Sequence, residues 1–230
     1  MKNLMKLTFL SLYAFFSFNA KVNGQGVNLS VDPIGVGVVG KMYNGATGSP
    51  YLSEDWSQGS VKLQDGTLYQ GLNLKYDLIK DELIFSLDKN HAKAFMYPVK
   101  EFTIIEGNDK AVAHGRIFRN GFPAVDGNNE KSYYEVLADG KYQLLKRTSK
   151  DIVEERAPGA TFATKQIKPT VRYYMTTPTG LVKVRKDKKG ILAVLKDKST
   201  EIAKFAENNN LSFKEDEDLA KLVTYYNSLN

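Results

Sequence analysis

The chain has 230 residues, 32 Lys and Arg against 26 Asp and Glu, 42% hydrophobic residues and no cysteine. Its apolar fraction is that of a globular fold. The missing cysteine excludes disulfides, thiol nucleophiles and thiolate metal sites, and the only two histidines, His91 and His114, form no His-Glu-x-x-His pair and follow no Gly-x-Ser-x-Gly elbow.

Met1 to Gly24 reads as an export signal. Lys2 and Lys6 precede the apolar run Leu7–Phe18, which is too short for a bilayer-spanning helix of about 20 residues but suits a cleaved secretory peptide. Val22 and Gly24 fit the small-residue rule, so cleavage is expected before Gln25, leaving 206 residues. No cysteine near the cut offers a lipid attachment point. Lys2, Lys6 and Lys21 leave with the signal, so the formal charge of +6 falls to +3.

Residues 25–58 form a glycine-rich arm. Gly35-Val-Gly-Val-Val-Gly40 lacks the Lys-Ser/Thr of a phosphate loop and reads as extended or turn-rich chain. Within Gly48-Ser-Pro-Tyr-Leu-Ser-Glu-Asp-Trp56, the side chains of Tyr51, Leu52 and Trp56 are spaced to clasp the arm onto a sheet. From Gly59 the pattern alternates. Apolar residues flank Asp65-Gly66 on both sides, a strong hairpin signal because Gly adopts positive φ freely. Leu83–Leu87, Ala94–Pro98 and Val99–Ile105 read as further strands. Tyr133-Tyr134 before Gly140 and Tyr173-Tyr174 before Gly180 repeat at a spacing of 40 residues, and each is followed by a lysine-bearing strand, predicting two hairpins of one design. Residues 157–169 between them read as a loop, or as a loop with a short edge strand. Glu201–Glu207 has helical spacing and stops at Asn208-Asn-Asn210. A capping box at Ser212-Phe-Lys-Glu215 then leads into an acidic first turn and an apolar stripe of Leu219, Leu222, Val223, Tyr226 and Leu229.

The expected fold is mainly β: an antiparallel meander sheet, or a partly closed barrel or sandwich, with a C-terminal pair of α-helices. The expected segments are a cleaved signal (1–24), the arm (25–58), an antiparallel β domain (59–196) and a helical pair packed on it (197–230).

No motif selects a catalytic pair among the 26 acids. Asp65, Asp126 and Asp139 precede glycines and read as turn residues, and Asp126-Gly-Asn-Asn-Glu130 lacks the alternating acids of a calcium loop. Neither metal nor cofactor is expected. Residues 141–190 hold thirteen Lys and Arg against four acids. Side by side, the two hairpins would merge their cations into a face attractive to a polyanion, with Lys146, Arg147, Arg185 and Lys186 as the charges and Tyr134 and Tyr174 as stacking rings. The alternative is a solvated, lysine-guarded sheet edge.

The Gly48-Ser-Pro-Tyr-Leu…Trp56 segment followed by Gly59-Ser-Val-Lys-Leu-Gln-Asp-Gly66 resembles uncharacterised exported β-rich proteins of Gram-negative bacteria. That resemblance implies export and β architecture, and it brings no activity or catalytic residues. The expectation is therefore an exported, non-enzymatic binding or structural protein of the periplasm or cell envelope. Its expected partner is an anionic envelope polymer or another envelope protein rather than nucleic acid, and the mature chain is expected to carry no transmembrane span. The rivals are a carboxylate-dependent hydrolase of envelope glycans, an outer-membrane barrel and a protein–protein interaction module. The barrel is disfavoured because its strands need about 9–11 residues.

Overall fold

The computed structural model describes residues 35–37, 43, 45–89, 91–106, 114–156, 158–159 and 161–229, all within the unit Pro33–Asn230. The expected signal at 1–24 lies outside the described residues. Three short pieces of the arm join the sheet: β1 (Gly35–Gly37), β2 (Ala46–Thr47) and the start of β3 (Ser57–Leu63). There follow β4 (Leu68–Asp77), β5 (Glu82–Ser86), β6 (Lys93–Phe95), β7 (Val99–Glu106) and β8 (His114–Arg119). The last strands are β9 (Tyr134–Ala138), β10 (Leu144–Glu155), β11 (Thr164–Thr177) and β12 (Gly180–Val184). Helices α1 (Lys188–Val194), α2 (Ser199–Asn208) and α3 (Asp216–Ser228) complete the chain. Among the described residues no helix is long and apolar enough to cross a membrane.

The sheet is mostly antiparallel and open, in the order β1-β6-β5-β4-β3-β7-β8-β9-β10-β11-β12. The mainly β expectation holds, but the chain is not one uninterrupted meander: after β6 it crosses back so that β7 pairs with β3. The Asp65-Gly66 turn forms as expected, with Gly66 at φ +91° and β3 paired to β4. Gly59 has a different role. A Cβ there would collide with the Thr103 carbonyl oxygen and with Leu74, so glycine is what lets β3 lie close against β7 at the point where its pairing with β4 shifts register.

The forty-residue repeat is a structural repeat. β9–β10 and β11–β12 are hairpins turning at Gly140 and Gly180, both at positive φ, and they sit side by side through β10–β11. That central pair is longer than expected. Its register runs unbroken from Leu144–Met175 to Glu155–Thr164, so residues 164–169 are strand, as the edge-strand alternative expected, and they continue β11 without a break. Pro169 is tolerated because the Lys150 amide opposite it points away from β11 to the Leu78 carbonyl, at 2.9 Å. The pair is therefore not hydrogen-bonded, and the missing proline N–H faces the outer edge. The outer half of this hairpin is an exposed arm, with Phe162 82% exposed.

Two cores lie on opposite faces of β10–β11. On one, Leu144, Met175 and Val184 pack under Ile191, Ile202, Leu219, Leu222, Val223 and Tyr226 of the helices. Four of the five expected stripe residues of α3 are thus buried, and Leu229 is exposed. The expected capping box does not form. The helix starts at Asp216 with Glu215 as its N-cap and no side-chain cap, because Asp218 accepts the Ser212 amide at 2.9 Å while the Ser212 hydroxyl accepts from Lys214. α1 is a helix absent from the expected segments, capped by Asp187, whose carboxylate accepts from the Gly190 amide.

On the other face the sheet curls around an aromatic interior. Phe102 and Phe118 are direct cross-strand partners and stack at 4.8 Å. Tyr76 meets both edge-on or tilted, at 5.2 and 5.5 Å, and Tyr133 closes on Phe102 at 5.0 Å. The curl brings the β4–β5 turn against β10, although four strands separate β4 from β10 in the sheet. Arg147 on β10 holds the two together. Its Nη1 and Nη2 donate to the Asp81 carboxylate at 3.0 and 2.7 Å. Nη1 also reaches the Tyr133 carbonyl at 2.9 Å and the Tyr76 hydroxyl at 3.2 Å, and Nε reaches Asn128 Oδ1 at 3.0 Å. Tyr76 in turn donates to Asp81. A guanidinium 7% exposed is stable only with its donors satisfied in this way.

Replacing one member of a buried pair strands the other, at a cost of about 3–5 kcal/mol. Arg147→Met is therefore expected to lower unfolding stability by that amount in urea titration. The double variant Arg147→Met, Asp81→Asn should recover part of the loss, since Asn keeps the left-handed backbone of Asp81 (φ +61°) and removes the stranded charge.

Candidate functional site

The β4–β5 turn is set by Asp77, whose Oδ1 accepts the Ile79 and Lys80 amides at 2.9 and 3.0 Å. This tight turn presents Asp81 and Glu82 on one side of a cavity of about 790 Å³ at the end of the curl. The β6–β7 link contributes Phe95, Tyr97, Pro98 and Val99, and the β3–β4 turn contributes Gln64. The connection from β8 to β9 adds Asn120, Gly121, Glu130, Lys131 and Tyr133.

The wall is fixed by its own hydrogen bonds. The Val99 carbonyl accepts from the Tyr133 hydroxyl at 2.9 Å and from Asn120 Nδ2 at 2.8 Å. The Gln64 amide donates to the Pro98 carbonyl at 2.9 Å, and the Gly121 amide to the Glu130 carbonyl at 2.7 Å. Burial and the nearby Asp81 charge push the Tyr133 hydroxyl far above its ordinary pKa, so it stays a neutral donor. Asp81, bound to Arg147 and Tyr76, belongs to the framework. Among the described residues, no partner engages the side chains of Tyr97, Glu130 or Lys131. These groups face a ligand-sized space from a pre-set backbone.

The six residues expected to form a basic, stacking face are placed otherwise. Tyr134 and Tyr174 are 1% and 0% exposed and meet edge-to-face at 5.4 Å in a core with Phe122, Leu145 and Leu181. Arg147 is buried against Asp81 on that same side of the sheet. Lys146 and Lys186 converge instead on Asp216 at the start of α3: Lys146 Nζ lies 2.7 Å from Oδ2, Lys186 pairs with Oδ1, and Tyr173 donates to Oδ1 at 2.8 Å. Lys146 also lies 4.0 Å from Glu135, which Arg116 holds through Nε and Nη2 at 2.7 and 2.8 Å. Arg185 alone of the six is largely in solvent, and it pairs with its neighbour Asp187 at 2.6 Å. These cations serve mainly to fasten α3 and the curl.

The remaining candidates are structural. Asp126 accepts from Lys183 at 2.9 Å and from Tyr174 at 3.2 Å, and Asn128 accepts from Arg147, so this turn is held by side chains of the protein itself. Among the described residues no cluster of three His, Asp or Glu could hold a metal ion. His91 is exposed beside Asp88 at 2.5 Å. His114 lies in β8. The segment is tied to the sheet through its backbone: Tyr51 bridges Asp77 and the Leu52 amide donates to the Tyr76 carbonyl, while Lys75 lies 5.1 Å from both the Tyr51 and Trp56 rings.

Burial opposes ionisation of Asp216, but hydrogen bonds from Lys146, Lys186 and Tyr173 outweigh it and hold the carboxyl below its ordinary pKa. The resulting stabilisation is present above the unfolded value of about 3.9 and is lost as pH falls through the folded value. Asp216→Asn should thus cost about 1–2 kcal/mol at pH 7, and the gap to the native chain should narrow in urea titrations as the pH is taken down through the folded value of Asp216. The buried Tyr134 hydroxyl has no hydrogen-bond partner among the described residues, and desolvation pushes its pKa up to about 12. Tyr134→Phe removes an unsatisfied group and should leave the melting temperature unchanged or raised; a loss of several degrees would show that the hydroxyl is satisfied.

No family model, curated protein or solved structure matches this chain, so the functional reading rests on its own residues.

Proposed function

We propose that the chain is an exported, non-enzymatic binding protein of the periplasm or cell envelope that takes its ligand in the cavity at the end of the curled sheet. Export is supported by the charged, apolar and small-residue order of Met1–Gly24. Binding is supported above all by one observation: Tyr97, Glu130 and Lys131 carry unengaged side chains on a wall whose backbone and neighbouring polar groups are already fixed. Pre-set walls with a few converging polar groups are the usual form of a small-molecule site, and 790 Å³ falls in the usual range of about 300–1,000 Å³.

The carboxylates on the wall favour one alternative, hydrolysis by an acid pair. Asp81 is a poor member of such a pair because its oxygens accept from Arg147 and Tyr76, which leaves Glu82 and Glu130. Saturable binding without turnover separates the two readings.

The test is a thermal-shift and calorimetric screen of the exported, purified chain against sugars, glycan fragments, peptides and lipids. The expected result is a ligand that raises the melting temperature and loses its effect when Lys131→Trp obstructs the cavity. Failure of every class to bind, or binding indifferent to Lys131→Trp, would overturn the proposal.

A further inference from the structure

We infer that the cavity takes a neutral, hydroxyl-rich carbohydrate, with the Tyr97 ring as its stacking platform. This rests on the cavity being a binding site, as proposed above, and adds the chemistry of what enters it.

The ring comes first. Tyr97 is 56% exposed, and among the described residues it has neither a ring partner nor a hydrogen bond. Tyr76, Tyr133, Tyr134 and Tyr174 are all buried. Exposure of so large a ring forgoes hydrophobic stabilisation, yet its backbone is held firmly. Pro98 restricts the preceding residue to extended conformations, and the Pro98 carbonyl is fixed by the Gln64 amide. A solvent-facing tyrosine on a restrained backbone offers contact area at little entropic cost, since the side chain has only two torsions to fix. The C–H faces of a pyranose ring match such a surface, since the negative face of the aromatic ring attracts polarised C–H groups.

The polar groups select against other ligands. Gln64 offers a donor and an acceptor, Glu82 and Glu130 offer acceptors, and Lys131 offers donors. Hydroxyl groups, which both donate and accept, can satisfy that whole set. An apolar ligand would bury the carboxylates and the ammonium unpaired, at a cost of several kcal/mol. An anionic ligand gains little, because the wall holds one ammonium, Lys131, whose chain neighbour is the carboxylate Glu130. A cationic ligand gains little, because Asp81 is neutralised by Arg147 at 2.7 Å, Glu82 lies 3.9 Å from Lys80 and Lys131 follows Glu130 in the chain. What remains is a hydrogen-bonding wall with little net field beside one bare ring.

The experiment titrates the exported chain with uncharged gluco-, manno-, xylo- and galacto-oligosaccharides, and in parallel with oligogalacturonate, chitosan oligomers, basic peptides and lipid micelles. The expected result is saturable binding of at least one uncharged series, changing less than twofold between low and high salt. Tyr97→Ala should weaken it at least tenfold without lowering the melting temperature of the free protein, while Tyr97→Phe should retain it. Binding of a charged or lipidic probe that Lys131→Trp abolishes, with no uncharged series bound, would overturn the carbohydrate inference and leave the binding site standing. Uncharged binding indifferent to Tyr97→Ala would overturn it too. No binding by any probe would remove the site itself.

Discussion

Placing a guanidinium inside a protein is costly unless each donor finds an acceptor, and Arg147 meets that condition by drawing on four other places in the chain at once. Its acceptors belong to the end of β4, the β4–β5 turn, the residue before β9 and the loop that follows β8, while its own backbone lies in β10. The curl of the sheet follows from that convergence. Strands β4 and β10 are far apart along the ladder, so no backbone pairing within the sheet forces them together. The bidentate contact between Arg147 and Asp81, aided by the Lys150 amide on the Leu78 carbonyl, supplies the restraint. The aromatic interior fills the space so enclosed, and the cavity opens to solvent where the β4–β5 turn, the β6–β7 link and the approach to β9 meet.

The helical layer is secured by the same means on the opposite face of β10–β11. Alternation along β10 sends Leu145 and Arg147 to one side and Leu144 and Lys146 to the other. Lys146 therefore meets Asp216 under α3 while Arg147 meets Asp81 under the curl. The far end of α3 is tied by Asn227, which donates to and accepts from the Tyr142 backbone at 2.8 and 2.9 Å. That side chain also occupies the space a Cβ on Gly140 would need. Of the cations in residues 141–190, Lys146, Arg147, Lys150 and Lys186 go into internal closure, while Lys141, Arg156, Lys165, Lys168, Lys183, Arg185, Lys188 and Lys189 are exposed.

Features fixed by neighbours within a few residues are legible in the sequence. The Asp65-Gly66 hairpin, the stripe of α3, the stop at Asn210 (φ +52°) and the repeat of Tyr-Tyr before a turn glycine are of this kind. The repeat even foreshadows the contact between Tyr134 and Tyr174, although not its burial. Which face a cation occupies depends on what the sheet later packs against, so Lys146 and Arg147 read alike in sequence and diverge in space. The Ser212–Glu215 motif yields to a competitor, Asp218, which takes the serine amide. The cavity residues come from four separate segments with no shared motif. Only the Met96-Tyr97-Pro98 sequence, an apolar pair before a rigidifying proline, carries a local hint of Tyr97.

Whether Arg147 holds the curl can be read by ¹⁵N NMR of the arginine side chains, with Arg185, whose side chain is 72% exposed, as the internal reference. If Arg147 closes the curl, its Nε–H and Nη–H signals should be resolved and exchange with water far more slowly than those of Arg185. Equal, rapid exchange at the two guanidiniums would contradict the account, because it would place Arg147 in solvent and leave the curled sheet without its restraint.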